Sequence, residues 1–240
     1  MVSTQRRALR ILAPMTNAVP PPQSEQELLQ RARNLAGLSL QQIADQLGRE
    51  VPHDLRHHKG WVGQLLEAAL GATAASAAVP DFEAIGVELK SLPVDARGLP
   101  RESTYVCTVP LEAVGEQWEN CWLRRKLARV LWLPIEAERS IALPQRRVGT
   151  ALLWSPDTEE ELLLRRDWEE LMDQVLLGGL EQISARHGEV LQIRPKAADS
   201  RALRHAVGSD GERILTNPRG FYLRAGFTAA ILRRHFVLPD

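Results

Sequence analysis

Apolar residues recur at helical spacing through Leu28, Leu29, Ala32, Leu35 and Ala36, behind a Ser24–Glu27 capping box and ahead of Gly37, which predicts a first helix. Ser39, with Gln42 three residues on, opens a second helix that carries Leu40, Ile43, Ala44 and Leu47 to a stop at Gly48. This pair has the outline of a helix-turn-helix, but two antiparallel helices packed on a core account for the same pattern and are commoner. Trp61–Leu70 forms a third helix closed by Gly71, with Trp61, Leu65 and Ala69 on its apolar side and Gly63, Gln64, Glu67 and Gly71 on the other. Ile85–Lys90 then alternates as a strand: Ile85, Val87 and Leu89 point one way, Glu88 and Lys90 the other.

Further strands are expected at Ser103–Val109 and Arg129–Ile135. Ser155 as N-cap and Pro156 at the first helical position open a long helix with Leu164, Trp168, Leu171 and Val175 as its buried stripe. Gln182–Ala185 and Val190–Arg194 flank His187-Gly188-Glu189 as a hairpin, and a polar helix, a Phe221–Leu223 strand and a closing helix to about His235 follow. Helices and strands mix without a regular βαβ repeat, so the pattern predicts an α/β fold, a mixed sheet flanked by helices. Residues 1–23, ending in Pro20-Pro21-Pro22-Gln23, read as a flexible tail, and 24–240 as a single domain.

Composition changes this picture little, with 44% hydrophobic and 25% charged residues. No apolar stretch is long enough to cross a bilayer, the run after Arg6, Arg7 and Arg10 is too short for a signal peptide, and two cysteines imply no disulfide framework. A cytoplasmic monomer is the expectation. Charge changes the picture more. The formal net charge is zero, yet Ile183–Asp240 holds ten basic against five acidic residues and Arg124–Arg147 seven against two, with eight acids against two arginines in Asp157–Asp173. Two basic blocks on a neutral chain suit a positive cleft for nucleic acid.

The sharpest chemistry is Asp81, six residues, then Glu88-Leu89-Lys90. Hydrolysis of a phosphodiester wants a hard cation on a phosphate oxygen, and Mg²⁺ takes one or two carboxylates plus waters. Asp81 and Glu88 have the right donors, Lys90 shares the Glu88 face to orient water and offset negative charge, and Glu67 offers a third carboxylate. His53, His57 and His58 lack the partners of a zinc site, and no nucleophile elbow or phosphate loop is present.

Lys59-Gly60-Trp61-Val62-Gly63 leading to Glu67, Asp81-Phe82, and Gly86-Val87-Glu88-Leu89-Lys90 together resemble the catalytic stretch of the MutH family of methyl-directed mismatch-repair endonucleases. Arg146-Arg147-Val148-Gly149, Leu153-Trp154-Ser155-Pro156, Arg186-His187-Gly188-Glu189, Gln192 to Lys196 and Gly220-Phe221-Tyr222-Leu223 continue the likeness in order, over about residues 24–238. The resemblance implies a restriction-endonuclease-like fold with two lobes around a DNA cleft. It also implies Mg²⁺-dependent nicking of the unmethylated strand at hemimethylated GATC, 5′ to the G, activated by MutL once MutS has found a mismatch. By the same match Asp81, Glu88 and Lys90 are the catalytic core, Asp81 and Glu88 hold the metal, and Glu67 is the accessory acid. Lys59, Lys126, Arg194, Lys196 and Tyr222 fall at positions for DNA binding or methylation reading. The chain departs from the family in a longer N-terminal tail, an Ala-rich Ala72–Ala78 stretch and Trp122. Two other classes share parts of this pattern: a GATC-specific restriction enzyme that cuts both strands, and an inactive DNA-binding module.

Overall fold

The computed structural model describes residues 19–55, 58, 60–74, 79–112, 115–184, 186–196 and 202–238. Three N-terminal helices, α1 (Glu25–Leu35), α2 (Leu40–Gln46) and α3 (Trp61–Leu70), form where the caps place them. The Ser24 side chain accepts from the Glu27 amide, but the Glu27 carboxylate accepts from the Gln23 N–H rather than from Ser24, so the expected box is only half made; Ser39 and Gln42 make a reciprocal one. The α1–α2 pair serves the core: Leu28, Ala32, Leu40, Ile43 and Ala44 are fully buried. Its turn is stitched to a neighbouring segment by Gly37 N–H to Val148 O at 2.8 Å and Leu40 N–H to Arg146 O at 2.9 Å. Pro20, at the end of the segment expected to be a tail, lies against the fold, its carbonyl accepting from Arg31.

A mixed three-stranded sheet of order β1-β3-β4 follows, from β1 (Glu88–Val94), β3 (Val130–Glu136) and β4 (Leu152–Trp154). β1 runs parallel to β3, with Glu88 opposite Val130, and β4 runs antiparallel to it. Every residue of β3 but the last is buried, because both of its faces are covered. Leu131, Leu133 and Ile135 enter a core with α1, α2 and α3; Val130 and Trp132 enter a second core with Leu164, Trp168, Phe227 and Ile231. Burying a residue of this size contributes about 1.5–3 kcal/mol, so β3 anchors both cores.

The second core is closed by an antiparallel sheet of order β2-β8-β5, made of β2 (Thr104–Thr108), β5 (Leu191–Pro195) and β8 (Arg219–Leu223). Helices α4 (Trp122–Leu127), α5 (Thr158–Leu176) and α6 (Ala225–His235) pack around it. Among the described residues no helix is long and apolar enough to cross a membrane.

Four sequence expectations are corrected. The strand expected at Ile85–Lys90 starts at Glu88 and runs to Val94: Glu83–Ile85 is a 3-10 turn ended by left-handed Gly86, and β3 offers backbone partners as far as Glu136. The long helix is capped by Asp157, whose carboxylate accepts from Glu159 and Glu160 amides, whereas the Ser155 hydroxyl donates to Ala128 O. The hairpin about His187–Glu189 is absent: Leu180–Gln182 is a 3-10 turn, β5 pairs with β8, and Ala185 lies outside the described residues. In place of a polar helix stands a hairpin of β6 (Arg204–Val207) and β7 (Arg213–Thr216), turned by Gly208 N–H to Glu212 O at 2.8 Å.

Candidate active site

Three local devices bring the acidic residues together. Helix α3 buries Leu65, Leu66 and Leu70 against the first core, which leaves Glu67 half-buried beside β1, an edge strand. Phe82 and Val87 exchange backbone hydrogen bonds at 2.9 and 3.3 Å around the Glu83–Ile85 turn. That closed loop folds Asp81 back onto β1, where its Oδ2 accepts the Leu89 N–H at 2.8 Å. Strand alternation then sets Glu88 and Lys90 on the same face as Leu92 and Val94, toward the second core.

Glu88 is 2% exposed, a depth at which a charge must be paired. Lys126 of α4 places its ammonium 2.8 Å from both Glu88 oxygens, and Lys90 Nζ lies 2.6 Å from Oε1. Three carboxylates and two ammonium groups thus share a cavity of about 340 Å³. Burial pushes the Glu67 carboxyl up from the usual range, and the charges of Asp81 and Glu88 push it further. Asp81 is likewise raised, by burial first and by Glu88 second, with the Leu89 N–H and both lysines opposing. The cluster is short of positive charge.

An open cleft of about 610 Å³ adjoins this cavity; Glu67 and Lys90 line both. Gly60 and Gly63 form part of its wall, and Tyr105, Tyr222 and Arg194 come from the β2-β8-β5 sheet opposite. Tyr105 meets Tyr222 edge-on at 5.4 Å; the Arg194 guanidinium lies 5.7 Å above the Tyr222 ring and Lys196 Nζ 3.5 Å above Tyr105. Phe221 is buried while Tyr222 is half-buried on the cleft side, as strand alternation requires. Burial raises the Tyr222 hydroxyl above its ordinary value, so it stays neutral and can both donate and accept. Cys107 is driven up to about 12 by burial and Cys121 to about 11, which leaves neither as a thiolate nucleophile.

A sequence profile for the family described as DNA mismatch repair enzyme MutH matches residues 70–167. DNA mismatch repair protein MutH of Klebsiella pneumoniae (strain 342) is 57% identical over 228 residues, covering 95% of this chain and 97% of that protein. The chain belongs to the MutH family. MutH proteins of Serratia proteamaculans (strain 568) and Escherichia coli (strain K12 / DH10B) are 57% and 56% identical, each covering 91% of this chain and 96% of their own length. The mixed α/β architecture is the restriction-endonuclease-like fold of MutH.

Of the residues singled out by the MutH likeness, the structure gathers Glu67, Asp81, Glu88, Lys90 and Lys126 in one cavity, with Arg194 and Tyr222 on the adjoining cleft. Lys126, expected among the DNA contacts, is held by Glu88. Lys196 sits beside Tyr105, and Lys59 lies outside the described residues. Sequence reasoning passed over Tyr105; alternation in its strand puts it on the outward face, but only the pairing of Tyr105 with Tyr222 shows what it meets. Of the histidines considered, His53 and His58 are exposed and His57 lies outside the described residues.

Proposed function

We propose that this chain is a Mg²⁺-dependent endonuclease that nicks the unmethylated strand of hemimethylated GATC, 5′ to the G, and that MutL activates it after MutS has met a mismatch. The observation that carries the reading is the opening of the Glu67–Asp81–Glu88–Lys90 cluster onto a cleft shared with Arg194 and Tyr222. The name of the relatives, DNA mismatch repair protein MutH, supports the pathway; GATC, MutL and MutS rest on the family resemblance.

Asp81 and Glu88 fit Mg²⁺ by donor chemistry: both are carboxylates, and the Glu67 and Asp81 carboxyls are raised first by burial and then by neighbouring carboxylates. Bound there, Mg²⁺ supplies a Lewis acid for a phosphate oxygen and a more acidic water. Glu88 is engaged by two ammonium groups, Lys126 on both oxygens and Lys90 on Oε1, so a cation bound there would take the place of the Lys126 contact. Lys90, beside Glu88 and on the cleft wall, orients the attacking water and offsets charge on the phosphate. The water oxygen bonds to phosphorus as the bond from phosphorus to the 3′ oxygen breaks; Glu67, as carboxylate, takes the water's proton, and the departing 3′ oxygen takes a proton from solvent. Arg194, Lys196 and Tyr222 read the site, with Lys59 and Lys126 adding positive charge toward the phosphates. On this reading 24–240 is a single endonuclease domain of two lobes that acts as a monomer, which two separate hydrophobic cores and a cleft lined from both support.

Cleavage of a hemimethylated GATC duplex with strand-specific labels tests this. A Mg²⁺-dependent nick confined to the unmethylated strand, accelerated by MutL, is the expected result. Cutting of both strands would identify a restriction enzyme, and no Mg²⁺-dependent nick a binding module.

A further inference from the structure

Resting on the assignment of Arg194, Lys196 and Tyr222 as the reading groups, we infer that Asp167, with Arg224, is a positioning residue that sets them relative to one another. Asp167 lies on α5, remote in sequence from every reading residue, and is 1% exposed. Its Oδ2 accepts three consecutive backbone N–H groups, from Glu189 at 2.7 Å, Val190 at 2.6 Å and Leu191 at 2.9 Å. The other oxygen, Oδ1, makes no hydrogen bond and has the Arg166 guanidinium 3.5 Å away, so the three amides carry the carboxylate. Charge-assisted bonds of this kind are what let a carboxylate remain buried.

Arg224 holds the same turn from the opposite side. Its guanidinium donates to Gly188 O at 3.1 Å and His187 O at 2.8 Å, and its N–H to Val190 O at 2.8 Å. Gly188 has φ +73°, and a Cβ there would stand 2.0 Å from Leu191 O, so the turn admits only glycine. The clamped segment leads directly into β5, where Gln192 pairs with Tyr222 and Arg194 with Gly220. Arg224 directly follows β8, the strand that carries Tyr222. A one-residue slip of β5 would turn Arg194 into the core. The clamp therefore fixes at one point both strands that carry the reading groups.

The test measures duplex affinity of the full chain in Ca²⁺, on a GATC duplex and on a scrambled one. Asp167→Asn keeps the shape but sets an amide among N–H donors. It is expected to weaken GATC binding about tenfold, the scale of one misplaced base contact. Scrambled-duplex binding, carried by phosphate contacts, should change by less than about twofold. Arg224→Gln, which leaves Asp167 in place, should lower the same ratio and serves if the first variant fails to fold. An equal loss on both duplexes, or an unchanged ratio in a folded variant, overturns the proposal. Arg194→Ala is the control: if it leaves the GATC preference intact, the reading assignment fails and the clamp has nothing to position.

Discussion

Asp81→Asn should make the metal-free protein more stable while removing its activity. The Asp81 charge is disfavoured in the fold by burial and by Glu88, and the Leu89 N–H and two lysines only partly compensate. Asparagine removes the charge and keeps an oxygen for the Leu89 N–H, now 2.8 Å from Asp81 Oδ2. An aspartate raised in the folded state binds its proton more tightly there than in the unfolded chain. The stability this gives is full below the unfolded pKa and is lost as pH rises through the folded one. At neutral pH the whole penalty is present, and the substitution should recover about 0.5–2 kcal/mol, the usual scale for relief of one unfavourable charge. For a chain of 240 residues that is a rise in Tm of about 1–8 °C. Thermal denaturation in a chelator, at neutral pH and in steps down toward pH 4, reads this out. The advantage of the variant should shrink as the pH falls. Adding Mg²⁺ should raise the Tm of the parent more than that of the variant. A variant less stable than its parent at neutral pH, or an advantage that grows on acidification, would refute the reasoning.

Asp81→Ala, Glu88→Ala and Lys90→Ala should each abolish nicking while leaving duplex binding in Ca²⁺ within a few-fold of the parent; near-parental nicking by any of them removes that residue from the site. Lys126→Met takes one ammonium from a buried carboxylate that keeps Lys90, so a stability loss of about 1–3 kcal/mol by urea denaturation is expected. An unchanged midpoint would show that the pair contributes nothing. Tyr222→Ser should narrow the preference between hemimethylated and unmethylated GATC more than it lowers Tm, and a preserved nicking ratio would exclude Tyr222 from methylation sensing.

What the sequence discloses about the site depends on how far apart its parts lie along the chain. Asp81, Glu88 and Lys90 are legible because one loop and one strand hold all three, and alternation alone puts Glu88 and Lys90 on a common face. Serine caps likewise mark α1 and α2, with Gln42 completing the second. Ser155-Pro156 misdirects because an equally good cap follows at Asp157, where Glu160 completes the reciprocal pair. Lys126 is ambiguous in sequence, a cation on a short basic helix, until α4 is packed against β2 and its ammonium meets Glu88 of β1. The turn around Gly188 resembles a hairpin until the carboxylate of Asp167 is seen to claim three of its amides. β6 and β7 carry little apolar alternation, and only their mutual pairing makes them strands.

The burial of β3 on both faces makes it a party wall. Leu131 and Trp132 are consecutive residues that belong to different cores, so neither core can be dissolved without uncovering the wall of the other. A protein that parts around an open cleft would otherwise invite piecemeal melting, one half surviving the loss of its neighbour. The shared strand thereby couples the two halves, and β1, bonded along its length to that strand, holds Glu88 and Lys90 against the wall on which both cores depend.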